Sequence, residues 1–271
     1  MDRKRFVAVA LFLAAPLTPS ARQAAPRAAA ARPTAAAAPT PAPPERATPF
    51  HVGETLTYDV SWASYLTAGT VVATVQAKKA SYNSSAYYVV AEARPGALVS
   101  AVYPVYYKMD TLIDVFTLLP QRGSVYSEEK TRHRYRATTF DRPHRKASFE
   151  YHSTGVAKDT FSVQPDVQDA LSVLYALRAR PLQAGAHISM PVSDSGTNYR
   201  VQFDVGPPER LTTPIGTMSA WKLQAAIYDA ENKRIGRDSA IWLSADQRQL
   251  PVRLQADLPL GAFVLALRDA K

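Results

Sequence analysis

The 271-residue chain contains no cysteine, and that absence removes several function classes at once. It excludes a disulfide framework, cysteine-ligated zinc or iron–sulfur, a thiol nucleophile and a lipid anchor on cysteine. Long apolar runs are lacking too. The apolar run at residues 6–15 reaches only ~15 Å as a helix, half of a bilayer core, so a retained transmembrane span is not expected. The five histidines, His51, His133, His144, His152 and His187, show no HxH or HExxH spacing, so no metal site is expected. No GxSxG elbow, phosphate loop or dinucleotide fingerprint is present. Ser193-Asp194-Ser195-Gly196 reads as a hairpin turn between two strand candidates. Asp110 and Asp114 share a strand face but fall ~13 Å apart, wide for paired acid–base work. Neither an enzyme nor a cofactor is expected.

Cations exceed acids, 32 Lys and Arg against 23 Asp and Glu, for a net charge of +9. Their placement removes the nucleic-acid reading. Residues 1–48 hold seven cations and two acids, which is +5 of the total. Arg3, Lys4 and Arg5, the apolar run and a small-residue exit make up a secretory signal peptide, assigned to residues 1–21. Residues 22–48 are almost wholly Ala, Pro, Thr and Arg, with six prolines breaking any helix, and read as a disordered tether. Residues 49–271 then form a single β-rich domain. The expected location is exported, periplasmic or extracellular.

From residue 54 the pattern is that of strands. Leu56, Tyr58, Val60 and Trp62 alternate with Thr55, Thr57, Asp59 and Ser61, the period-two signature of a half-buried strand. Further candidates cover residues 70–75, 87–93, 106–116, 122–130, 132–140, 146–151 and 160–163. Another six cover 187–192, 199–205, 216–228, 235–243, 252–256 and 262–267. The linkers carry turn residues, as antiparallel hairpins require. Residues 96–102 have room for one or two helical turns. One longer helix is expected, capped by Asp166, with Ala170, Leu171, Leu174, Tyr175 and Leu177 as its apolar stripe and Pro181 as its stop. The fold class is mostly β: an antiparallel barrel, or a half-open barrel or curved sheet, with one inserted helix. The alternative is a two-part β-sandwich joined by that helix.

Particular residues also resemble a known family. They are Glu54, Tyr58, Trp62 and Gly69, then Asp169, Ser172, Tyr175 and Arg178 in the helix, followed by Gly185 and Gly216. Trp242, Ser244, Asp246 and Pro251 complete the set. Together they are similar to the bacterial exported family termed domain of unknown function 3108, over roughly residues 50–268. The resemblance implies a secreted, β-rich envelope domain and no catalytic residues. Read physically, the tryptophans fill core with an indole N–H seeking one acceptor. The glycines supply positive φ or close approach. Arg178 reaches C-terminal carbonyls or a carboxylate such as Glu54.

Two constellations remain. Lys130, Arg132, Arg134 and Arg136 share one strand face, and Arg142, Arg145 and Lys146 follow in the next turn. They form a candidate stripe for anions or an acidic partner, with a solvated hairpin face as the plainer reading. Tyr103, Tyr106, Tyr107, Tyr126, Tyr135, Phe149 and Tyr151, with Phe140, are dense in the N-terminal half. On a concave face they would line a cavity for an acyl chain or a sugar polymer. The function expected is a non-catalytic envelope binding or assembly module for a lipid, glycan or envelope protein. The alternatives are a structural or protein-interaction domain without a pocket, and an envelope-polymer hydrolase.

Overall fold

A computed structural model describes residues 44–271 except 63–65, 103 and 259–260. The segments expected to be a signal peptide and most of a tether, residues 1–43, lie outside the described residues. The first half holds β1 (Thr55–Trp62), β2 (Leu66–Ser81), β3 (Ser84–Pro95), α1 (Ala97–Val102), β4 (Val105–Asp114), β5 (Pro120–Glu129), β6 (Arg132–Asp141), β7 (Lys146–His152) and β8 (Val156–Ser162). After α2 (Ser172–Arg178) come β9 (His187–Asp194), β10 (Thr197–Thr213), β11 (Gly216–Tyr228), β12 (Arg234–Ser244), β13 (Pro251–Leu258) and β14 (Gly261–Ala270). Each of the fourteen strands overlaps one of the stretches expected from alternation, although β2, β8 and β10 extend well beyond them and the expected stretches at β4, β5 and β8 run one or two residues past the strand ends.

All fourteen strands belong to one antiparallel sheet, in the order β8-β7-β6-β5-β4-β3-β2-β1-β14-β13-β12-β11-β10-β9. The chain meanders from β1 out to one edge, crosses back, and meanders from the other edge to β14. There β14 pairs with β1, from Leu56 opposite Ala270 to Trp62 opposite Phe263. The sheet is curved and open, with β8 and β9 as its edges. It is neither a closed barrel nor a two-part sandwich. Register shifts between β1 and β2, β2 and β3, and along β10 to β13 supply the bends that curl it. Gly69 sits at one of them: a Cβ there would lie 2.2 Å from the Arg94 carbonyl oxygen.

What prevents closure is the crossing segment, residues 163–186. Gln168 takes the place a neighbouring strand would have on β9, donating to the Pro191 carbonyl (2.8 Å) and accepting from the Ser193 amide (2.8 Å). The segment then enters the concave face as α2. Val173, Ala176 and Leu177 pack with the core built from β9–β14 together with β1 and Ala73 of β2, while Leu171 and Tyr175 pack with Phe50, Val75, Tyr87 and Ile113. A third cluster, Phe140, Ala147, Val163 and Val167, pins the start of the segment to β6 and β7.

The helix differs from expectation in two ways. It starts at Ser172, and Asp169 rather than Asp166 caps it. Its burial is not a stripe either: six of its seven residues are buried, because a curled sheet surrounds it.

Candidate functional site

The seat of α2 is built from residues far apart in sequence. At its start, Asp169 Oδ1 accepts the Leu171 and Ser172 amides (2.9 and 2.7 Å), and the Ser172 hydroxyl accepts the Asp169 amide (2.9 Å). This reciprocal cap satisfies orphan N–H groups of the first turn. The Thr111 hydroxyl donates to Asp169 Oδ2 at 2.5 Å. Gly123 leaves room for that carboxylate, since a Cβ there would sit 2.7 Å from Oδ2. Burial raises the Asp169 pKa, against the opposing pull of hydrogen bonds from Ser172, Thr111 and Leu171.

At the other end, Arg178 is 0 % exposed and grips Glu54 bidentately, at 2.7 and 2.8 Å. Its remaining donors reach the Gln249 and Arg248 carbonyls (3.1 and 3.2 Å). Burial works to discharge the guanidinium, but the hydrogen bonds and charge of Glu54 more than offset it, and its pKa rises. The loop that offers those carbonyls is shaped by Ser244, whose hydroxyl donates to Asp246 (2.6 Å) and accepts the Leu250 amide (2.8 Å). Glu54, Asp169, Ser172, Tyr175, Arg178, Ser244 and Asp246 thus serve one device, the docking of α2. Gly185 and Gly216 have positive φ, +81° and +119°. A pocket between residues 169–171, just before α2, and the sheet, lined in part by Asp169, Arg136 and Asp194, has a volume of about 20 Å³, room for a single water. With α2 in place, the concave face is occupied by the protein's own chain rather than by a ligand cavity at this level.

The seven stripe cations do not form one surface. Arg136 lies opposite Tyr151, on the face that also carries Thr138 and Phe149, and donates to Ser195 Oγ at 2.7 Å. Arg134 reaches Glu129 (3.3 Å), which also accepts from the Tyr107 hydroxyl (2.5 Å). Arg142 turns inward to the carbonyls of Pro165, Val167 and Pro120, tying the crossing segment to β5. Burial pushes its pKa down to about 10. Arg132, Arg145 and Lys146 are exposed, and Lys130 occupies a left-handed turn position.

The aromatic set divides as well. Tyr107, Phe149 and Tyr151 share the concave side, whereas Tyr106, Tyr126 and Tyr135 lie on the opposite face. There Tyr106 meets Tyr126 edge-on at 6.3 Å, Tyr126 stacks on His133, and Tyr135 meets His152 at 5.6 Å. Tyr103 lies outside the described residues.

A different surface has the shape of a binding site. On the outer side of β11, β12 and β13, Lys222, Trp242 and Arg253 sit side by side in register. Lys222 Nζ lies 5.4 Å and Arg253 Cζ 5.1 Å from the indole ring centroid. Such cation–π contacts hold two flexible side chains over a buried ring. The indole N–H donates to Glu209 Oε1 at 2.5 Å. Around this centre opens a groove of about 320 Å³, lined also by Leu211, Gln224, Asp238, Ala240, Gln255 and Asp257. Its volume falls in the range of about 300–1,000 Å³ usual for small-molecule sites. Arg253 spends one donor on Gln255 (3.1 Å), while its Nε–H is buried with no hydrogen-bond partner among the described residues. Of these groups only Trp242 stood out in the sequence. The others are the polar members of ordinary strand alternation, and only strand register brings them together.

Among solved structures, the chain is similar to a β-barrel-like protein of domain of unknown function DUF1849 from Brucella abortus. The identity is 10 % and the TM-score 0.51, covering 81 % of this chain and 97 % of that one. It is also similar to a candidate lipoprotein from Parabacteroides distasonis (9 % identity, TM-score 0.36, 84 % and 100 % covered). A candidate exported protein with a YmcC-like fold from Bacteroides fragilis matches at 13 % identity and TM-score 0.34, with 84 % and 99 % covered. At these identities the first likeness concerns fold alone. No curated protein matches the chain. The model of one family does match, over residues 57–268, from β1 to β14 and including α2, so the chain belongs to the family described as protein of unknown function DUF3108.

Proposed function

We propose that this chain is an exported, non-catalytic binding or assembly module of the cell envelope, which meets its partner on the outer face of the sheet. The observation that supports this reading most is the groove over Trp242. It is the size of a ligand site and sets cations, carboxylates and amides around a tryptophan ring. The interior favours the same view. Where an acyl chain would have to lie, α2 is packed on both sides and held by the Glu54–Arg178 pair. Among the described residues no helix is long and apolar enough to cross a membrane.

The test is to isolate the protein from an osmotic-shock extract of its own cells and weigh it intact by native mass spectrometry. The expected result is a mature chain lacking residues 1–21, carrying a bound envelope component that a Glu209→Gln/Arg253→Met variant loses. An intact Met1 terminus in the cytoplasmic fraction would overturn the export part. A bare mature chain, with no component on either protein, would overturn the binding part.

A further inference from the structure

We infer that the groove over Trp242 takes an uncharged, hydroxyl-rich ligand, a neutral glycan; the inference rests on reading that groove as the binding site. The argument is an inventory of donors and acceptors. The groove sets two cations, Lys222 and Arg253, among three carboxylates, Glu209, Asp238 and Asp257, with the amides of Gln224 and Gln255 between them. Every one of these groups is strongly polar, so an acyl chain laid across them would desolvate charges without replacing their hydrogen bonds. Asp238 is already paired with Arg234, which leaves Glu209 and Asp257 facing Lys222 and Arg253, so the groove offers an anionic ligand no excess of positive charge.

A sugar hydroxyl both donates and accepts. A row of hydroxyls therefore satisfies alternating cations and carboxylates at once. Arg253 spends one Nη–H on Gln255 (3.1 Å) and lines the groove, so its further N–H groups can donate to a ligand hydroxyl at the wall.

Trp242 has a specific part in this. It is 5 % exposed and both cations lie against its ring, so it is no open stacking platform. Instead it fixes the positions of Lys222, Arg253 and Glu209. Recognition by preset hydrogen bonds rather than by apolar contact discriminates strongly between a ligand that has the hydroxyls and one that lacks them.

The experiment titrates the mature protein with chitotetraose, cellotetraose and maltotetraose, following the indole N–H signals of its three tryptophans, Trp62, Trp221 and Trp242, by NMR. The expected result is that at least one neutral oligosaccharide moves the Trp242 signal while those of Trp62 and Trp221 stay. Arg253→Met should weaken that binding about tenfold or more, as loss of a hydrogen bond to a charged donor implies. An acidic tetrasaccharide of galacturonate should bind more weakly than the neutral ones. The inference is overturned if none of the three moves the Trp242 signal at millimolar concentration. It is equally overturned if Arg253→Met leaves the binding unchanged, or if the galacturonate probe binds tightest. Should the sugars fail while the protein from cells carries a lipid or protein lost by the groove variant, the binding module stands and only the ligand class falls. Should both fail, both readings fall.

Discussion

Arg178 is the residue on which most of the structure converges. Its charge is removed from water and met by one carboxylate and two carbonyls, so removal of either partner leaves an uncompensated buried charge. Arg178→Met is expected to destabilise the protein by about 3–5 kcal/mol in urea denaturation. The Glu54→Gln/Arg178→Met double variant should recover part of that loss, and a double variant no better than the single would contradict the pairing. Asp169 carries the opposite electrostatic sign of effect. Its pKa is raised in the folded state, so its contribution is fully present below the ordinary carboxylate value and is lost as pH rises through the raised one. Asn keeps the cap acceptor without the charge. Asp169→Asn should therefore gain stability relative to the parent as pH goes from about 4 to about 8, measured by thermal unfolding. A difference that does not change with pH would contradict the raised pKa. Gly69→Ala places its methyl carbon against the Arg94 carbonyl, a backbone atom that cannot swing away, and should cost about 1–3 kcal/mol.

At the scale of elements, α2 is short, and its stability comes from its surroundings rather than from propensity. Seven residues are too few for an isolated helix in water. Leu177, fully buried among strands of the C-terminal half, should cost about 2–5 kcal/mol on truncation to Ala, read as a shift of the urea midpoint. A cost below 1 kcal/mol would mean that the helix is not docked as described. Most strands were legible because they show one buried and one wetter face, as Thr55–Trp62 does. Their ends were less so. Val156–Thr160 in β8 has no apolar alternation to reveal it, since its residues are all exposed at the sheet edge. The helix start was misplaced for a different reason. Gln168 and Asp169 are engaged with β9 and with the cap, and both contacts come from elsewhere in the chain.

For the whole molecule, the decisive feature is that the first and last strands pair near the middle of the sheet while its edges come from the middle of the chain. Amides of β1 and β14 are flanked by strands on both sides, and those of β8 on one side only. Hydrogen–deuterium exchange should therefore release β8 first and β1 and β14 among the last. Uniform exchange across the sheet would contradict this order. The same topology makes folding depend on contacts between strands some two hundred residues apart, so refolding should fall in the slow range of non-local β-proteins, milliseconds or longer.

The sequence by itself determined the antiparallel β class, the number of strands, the single inserted helix of the core and the family, because alternation, turn residues and a local helical stripe are properties of neighbouring residues. It also marked Glu54 as a partner for Arg178. Only the tertiary structure decided that the sheet stays open, that α2 fills its concave face, and that Arg134, Arg136 and Arg142 of the stripe turn to separate partners. It alone assembled the Trp242 groove. Register and curvature decide which side chains meet, and both arise from pairing between distant strands, which no local pattern records.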